Sequence, residues 1–208
     1  MNQTIVKEAL GSGVVIEAVQ SMTGAESIAP DHLGRGAMSA KGYVPQALAI
    51  DRALEQEVHH LLFAQAALLD AKNWGGFIEL FSAEGVYWVP SRPDQTDWQR
   101  EASIFAEDKL LMEVRMGRLQ HPNAWSQAPL WETNHLVGNT VVESQGLNTL
   151  EVYSKFQMME IRRDHVRHFA GSYRHSLVKE SGQWRIKLQR VDLINAQASF
   201  DYVIQAWI

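Results

Sequence analysis

Apolar residues recur at helical spacing at Ile50, Leu54, Val58, Leu61, Leu62, Leu68 and Leu69. Asp51, Arg52, Glu55, Glu57 and His59 fill much of the opposite face, so the pattern predicts an amphipathic helix lying across a larger surface. A break at Asp70-Ala71-Lys72-Asn73 separates it from a second, short helix over roughly 74–81. Glu84-Gly85 then supplies turn chemistry, Val86 to Val89 is β-branched and aromatic, and Pro90 stops the run. The stretch 80–90 is therefore a helix-to-strand handover. Two helices feeding a strand suggest a sheet whose concave face wraps around the first helix.

The segment 91–103 is polar and rich in loop formers. Ala106-Glu107-Asp108 reads as the acidic opening of a third helix carrying Leu110, Leu111, Val114 and Leu119. Arg115 and Arg118 fall towards its end, as the helix dipole prefers. After a loop at 123–129 the period changes from helical to two, and strands are expected over 133–142, 149–161, 168–179 and 183–194. Polar connectors of hairpin length separate them at 143–148 and 162–167. In the last strand Trp184, Ile186 and Leu188 alternate with Arg185, Lys187 and Gln189, after a turn at Glu180-Ser181-Gly182. Helices followed by long antiparallel strands make an α+β plan, with the helices on one face of a curved sheet.

At 208 residues and 46% hydrophobic, the chain is long enough for one well-buried core and short for two. Residues 1–46 stand apart. They hold six of the fourteen glycines and a single aromatic residue, Tyr43, which predicts a flexible or subunit-embracing arm, with room for a short helix within 4–22. Residues 47–208 are then a single domain. A net charge of −5 leaves no basic footprint for nucleic acid or an anionic membrane. The absence of cysteine removes disulfides, thiolate catalysis and Cys-held zinc or iron–sulfur clusters from this chain, and points to a cytoplasmic address. No apolar run approaches the roughly 20 residues that span a bilayer.

Candidate chemistry is sparse. A dehydratase or isomerase working in a cavity would use Glu84, Tyr87, His135, Tyr153 or His175 as acid or base. By alternation Tyr87 shares a strand face with Val89, His135 with Val137 and Asn139, and His175 with Phe169, Gly171, Tyr173 and Leu177. A histidine on such an apolar face is more often a hydrogen-bonded core or interface residue than a catalyst. Phe63, where a hydroxyl would serve chemistry best, argues the same way. Metal spacings do not converge: His165 and His168 sit in a connector and a strand start, His59 and His60 point to different helix faces, and Glu132 and His135 lie three apart in a strand. Trp88, Arg92, Trp98, Arg115, Arg118, Trp125 and Trp131 have the composition of an oligomer interface. The apolar end, Phe200 to Ile208, should be packed.

Leu68-Leu69-Asp70, Leu80-Phe81, Tyr87-Trp88-Val89-Pro90, Ala124-Trp125, His135-Leu136-Val137-Gly138-Asn139, Phe169-Ala170-Gly171 and Trp184 followed by Arg190-Val191-Asp192-Leu193 occur in this order. Together they resemble the small (beta) subunit of bacterial aromatic-ring-hydroxylating dioxygenases, from about residue 47 to the end. The resemblance implies a cone-shaped roll, nuclear-transport-factor-2-like or cystatin-like, of mostly antiparallel sheet around N-terminal helices. It implies a structural, non-catalytic chain without a cofactor of its own. A large (alpha) subunit would carry the Rieske [2Fe-2S] cluster and mononuclear non-haem iron, assembled as three large and three small chains, with electrons from NADH through a reductase. The missing cysteines agree, because a Rieske centre needs two with two histidines. The chain departs from the family at Phe63, Gln65, Glu132, Asn134 and Asn195-Ala196, and in its longer N-terminal extension.

Overall fold

The computed structural model describes residues 38–125, 130–200 and 202–208. The short helix considered within 4–22, and most of the N-terminal extension, lie outside the described residues. Helix α1 spans Arg52–Asp70 and starts where the Asp51 carboxylate accepts the Ala53 N–H. It buries Val58, Leu62, Gln65 and Leu69, the stripe its periodicity marks out. Helix α2, Trp74–Glu79, is capped by Asn73 and sends Trp74, Phe77 and Ile78 into the core. Next come β1 (Phe81–Pro90), β2 (Ser103–Asp108), α3 (Lys109–Leu119), β3 (Glu132–Gln145), β4 (Thr149–Arg162), β5 (His165–Glu180) and β6 (Gln183–Leu193).

The strands form one sheet in the order β2-β1-β6-β5-β4-β3. Every pairing is antiparallel except β1 with β6. The inner face, with α1, α2, the inward side of α3 and the C-terminal segment, encloses Phe77, Tyr87, Val152, Phe156, Met158, Tyr173, Ile186 and Val191. A smaller cluster, Val86, Trp88 and Leu188, forms on the outer face under Trp98. The expected packing of the apolar end holds: Ile204, Ala206, Trp207 and Ile208 are buried. The Trp207 ring lies 5.5 Å from Phe77, and its Nε1–H donates to Glu107 Oε2 at 3.1 Å.

Several boundaries differ from the sequence reading. Ala106-Glu107-Asp108 do not open the third helix; they pair with Trp88, Tyr87 and Val86 as the end of β2, and Asp108 caps α3 by accepting the Leu111 N–H. Phe81 belongs to β1 rather than to the second helix, and Glu84-Gly85 is not a turn, because the strand runs through it with an irregular register. A Cβ at Gly85 would sit 2.8 Å from the Ile186 carbonyl, so its lack of a side chain serves close approach of two strands. Both hairpin connectors are shorter than expected. Pairing continues to Gln145↔Leu150 and to Arg162↔His165, and Arg163 takes a left-handed φ of 57° in the tight turn between β4 and β5.

The largest departure is in β6. Leu177 pairs with Ile186 but Ser176 pairs with Leu188, which leaves Lys187 as one extra residue, a β-bulge. Alternation reverses across it. Ile186 faces the inner core, Leu188 joins the outer cluster, and Gln189, grouped by alternation with Arg185 and Lys187, turns inward and is fully buried.

Gly171, where β5 pairs with Leu193 of β6, has no room for a side chain: a Cβ there would lie 2.0 Å from the Asp192 carbonyl oxygen. Gly171→Ala must push two central strands apart. We expect a loss of about 1–3 kcal/mol in urea unfolding, the usual cost of overpacking. An unchanged midpoint would refute this account.

Candidate functional site

Two places hold functional side chains: the inner face of the sheet and a groove beside its β2 edge. The inner face gathers residues from four strands and α1. Register places Tyr87 opposite Gln189, Gln189 opposite His175, and His175 opposite Val152, in one transverse row. In the neighbouring row Ser154 lies opposite Tyr173. Gln65 descends from α1, and its Oε1 lies 3.0 Å from His175 Nε2, so the ring donates from Nε2 and Nδ1 carries a lone pair. Burial holds the His175 pKa down to about 3, so the ring is neutral at physiological pH. Burial also pushes the Tyr173 hydroxyl well up.

The five candidates for acid–base chemistry are not all brought together; Tyr153 lies on the outer face, opposite Arg174 and 5.8 Å from the Tyr43 ring. Tyr87 and His175 share the row through Gln189. Tyr87 is committed: its hydroxyl accepts the Ile208 N–H at 2.9 Å and donates to the Ile208 carbonyl at 3.1 Å. Burial raises its pKa. His135 lies towards the C-terminal end of α1, with Nδ1 2.6 Å from Asp70 Oδ1, while its backbone N–H and the Thr133 hydroxyl also bond that carboxylate. Burial alone would raise the Asp70 carboxyl, but these hydrogen bonds outweigh it and hold the pKa low. Glu84 is exposed and apart from the others. Phe63 is also exposed, stacked on His59, so the α1 residue aimed into the interior is Gln65.

In these two rows five buried polar atoms have no hydrogen-bond partner among the described residues, Ser154 Oγ, Tyr173 Oη, His175 Nδ1 and both amide atoms of Gln189, and His135 Nε2 further along the same face has none either. An unsatisfied buried group costs about 1–3 kcal/mol, and five together would rival the roughly 5–15 kcal/mol net stability of a whole domain. Sequence reading missed this patch because Gln189 is placed inside only by the bulge.

On the outer face, the Arg190-Val191-Asp192-Leu193 motif acts as a clamp. Val191 enters the inner core, whereas the fully buried Arg190 bonds Asp192 through Nε at 2.9 and 3.0 Å. Its Nη1 and Nη2 donate to the carbonyls of Gln95 and Pro93 at 2.6 and 3.1 Å. Burial lowers the Arg190 pKa and raises that of Asp192, each partly offset by the other. Beside it Arg174 donates to the carbonyls of Met38 and Ser39 and lies 3.9 Å over the Tyr43 ring. Residues 38–43, the described end of the N-terminal extension, are thereby held against the sheet.

The groove, about 970 Å³, is lined by Ile104 to Glu107 of β2, the Leu111–Val114–Arg118 side of α3 and Val203 to Gln205. Leu111, Val114 and Val203 are exposed in it. Arg115 forms its wall, 2.7 Å from Glu107 Oε1 and stacked 3.8 Å over Phe105. Burial raises the Glu107 pKa against the pull of Arg115. Among the interface candidates, Arg118 stands exposed on this groove, and Trp125 near its end is 81% exposed. Arg92, half exposed, pairs with Asp94 and Glu101, and Trp98 is partly covered. Trp88 and Trp131 are enclosed by the chain's own side chains, at 0% and 2% exposure, and present no surface to a second chain. Among the described residues no group of three or more His, Cys, Asp or Glu could hold a metal ion. No helix there is long and apolar enough to cross a membrane.

A strongly curved open sheet closed around helices defines an α+β cone of the nuclear-transport-factor-2-like class. The benzoate 1,2-dioxygenase beta subunit of Burkholderia mallei shares the fold, with a TM-score of 0.60 at 22% identity over 76% of this chain and 99% of that one. So does naphthalene 1,2-dioxygenase solved with indole in its active site, at 0.67 and 18% over 99% of this chain and 100% of that one. Residues 64–199 match the model of the ring-hydroxylating beta subunit, and the chain belongs to that family. It is 30% identical to the small oxygenase component of the p-cumate 2,3-dioxygenase system of Pseudomonas putida, over 64% of this chain and 76% of that protein. It is 25% identical to the 2-halobenzoate 1,2-dioxygenase small subunit of Burkholderia cepacia, over 67% and 87%. The chain is thus the small subunit of an aromatic-ring dioxygenase, a part of an oxygenase complex.

Proposed function

We propose that this chain is the cytoplasmic scaffold of a Rieske-type aromatic-ring dioxygenase, joining large subunits in a complex of three large and three small chains. The observation that carries the reading is the family match over residues 64–199. Two of the acid–base candidates are engaged within the chain, which supports a structural role: Tyr87 is saturated by Ile208, and Asp70 holds His135 through Nδ1. The large subunit supplies the Rieske cluster and mononuclear iron, with electrons from NADH through a reductase. This chain has no cysteine, so a centre ligated by two cysteines and two histidines does not fit it. Relatives named for p-cumate, 2-halobenzoate, anthranilate and benzoate make aromatic acids the first substrates to assay.

The groove beside β2 is our candidate for subunit contact, because exposed aliphatic side chains there surround the cationic Arg118. Arg92, Trp98 and Trp125 remain surface candidates for other contacts. Co-expression with the large subunit should yield a hexamer that contains iron and oxidises an aromatic acid, while this chain alone is iron-free and inactive. An isolated chain that turns over a substrate would overturn the proposal. Arg118→Glu should leave the lone chain folded and weaken assembly at least tenfold, read by mass photometry of mixed subunits. Unchanged assembly would remove the groove from the interface.

A further inference from the structure

The inner-face patch is a built site with unmet hydrogen-bonding capacity, and it plays no part in the scaffold role. Ser154 Oγ, Tyr173 Oη, His175 Nδ1 and the Gln189 amide are buried, face the same interior from three adjacent strands, and lack partners. Gln65 fixes the His175 ring by taking its Nε2–H, so Nδ1 requires a donor. The Gln189 NH2 requires an acceptor, and its carbonyl oxygen another donor. One kind of group suits all of these, a hydroxyl, which both donates and accepts, and the two donors required call for more than one O–H.

We propose that the interior of this subunit is a binding site for neutral hydroxyl groups, held between His175, Gln189, Tyr173 and Ser154. Anions are excluded. The one charge felt at Tyr173 is the negative Asp70 carboxylate, Phe156 stacks on Tyr173 at 4.2 Å, and the buried His175 stays uncharged. At about three hydrogen bonds per buried water, about two waters satisfy the patch. Water and a small organic hydroxyl compound share this chemistry, and phenol serves as the organic probe.

Crystals of the assembled oxygenase should show solvent-sized density within hydrogen-bond distance of His175 Nδ1 and the Gln189 amide, lost in the His175→Leu/Gln189→Leu double variant. If phenol neither displaces that density nor raises the melting midpoint, the guest is water. If phenol replaces it and raises the midpoint of the parent but not of the variant, the site takes organic hydroxyls. Benzoate, the anionic control, should do neither. Benzoate binding as well as phenol would overturn the neutral-guest assignment. A dry interior, with Gln189 bonded directly to His175 Nδ1 and Tyr173, would overturn the site. Ser154→Ala, which removes one hydroxyl and little bulk, keeps the test open should the double variant fail to fold: it should shift or empty the nearest density. Failure of the scaffold reading would appear separately, as missing assembly.

Discussion

Arg190→Ala should cost about 3–5 kcal/mol, because removing one member of a buried ion pair leaves the other charge poorly compensated. In this protein the substitution leaves the Asp192 carboxylate only the longer contact to Arg174, at 3.8 Å, strips the donors from the Pro93 and Gln95 carbonyls, and takes a guanidinium from above the Trp88 ring, 4.6 Å away. The loop 91–95 then has no anchor on β6. Urea unfolding of the lone chain is the readout. Replacing both partners, Arg190→Met with Asp192→Leu, should recover part of the loss, since an apolar pair carries no desolvation cost. If the single variant lost no more than the double, the clamp would not be an interacting pair.

His175 gives the second large effect, in the pH dependence of stability. Its folded pKa, about 3, lies below its ordinary value of 6.5, so between those pH values the unfolded chain binds a proton that the folded chain refuses. Its contribution is therefore complete above pH 6.5 and is lost as pH falls towards 3, at about 1.4 kcal/mol per pH unit and a few kcal/mol in all. Glu107, Glu160 and Asp192, whose carboxyls are raised by burial, run the other way and gain folded-state preference in acid. The His175 term is isolated by subtracting the stability profile of His175→Leu from that of the parent. A flat difference between pH 6.5 and 4 would mean that the ring is solvated in the folded state.

The family motifs acquire physical reasons in the structure. Asp70 is conspicuous in sequence only as the end of Leu68-Leu69-Asp70, yet it receives both the ring and the backbone of His135 and so fastens α1 to β3. Gly171 of Phe169-Ala170-Gly171 lets β6 approach β5. Val191 and Leu193 of the last motif feed the core while Arg190 and Asp192 clamp a loop on the other face. The acid–base candidates were legible as residue types on strand faces, but their partners were not: Gln65, Asp70 and Ile208 lie 110, 65 and 121 positions away from the groups they bond.

What the sequence determined by itself was whatever depends on local period and chemistry. Helical spacing gave α1, alternation gave four long strands, an apolar tail announced a packed end, and the absence of cysteine set what the chain cannot ligate. The tertiary structure decided whatever depends on pairing between distant strands. Partnership with β1 drew Ala106-Glu107-Asp108 into β2 although their composition suits a helix start, because strand pairing across β1 outweighs a weak local preference. The bulge at Lys187 turned Gln189 inward, since one inserted residue reverses a period of two for everything that follows it. Registers are fixed by the sheet as a whole, and no window of β6 contains that information.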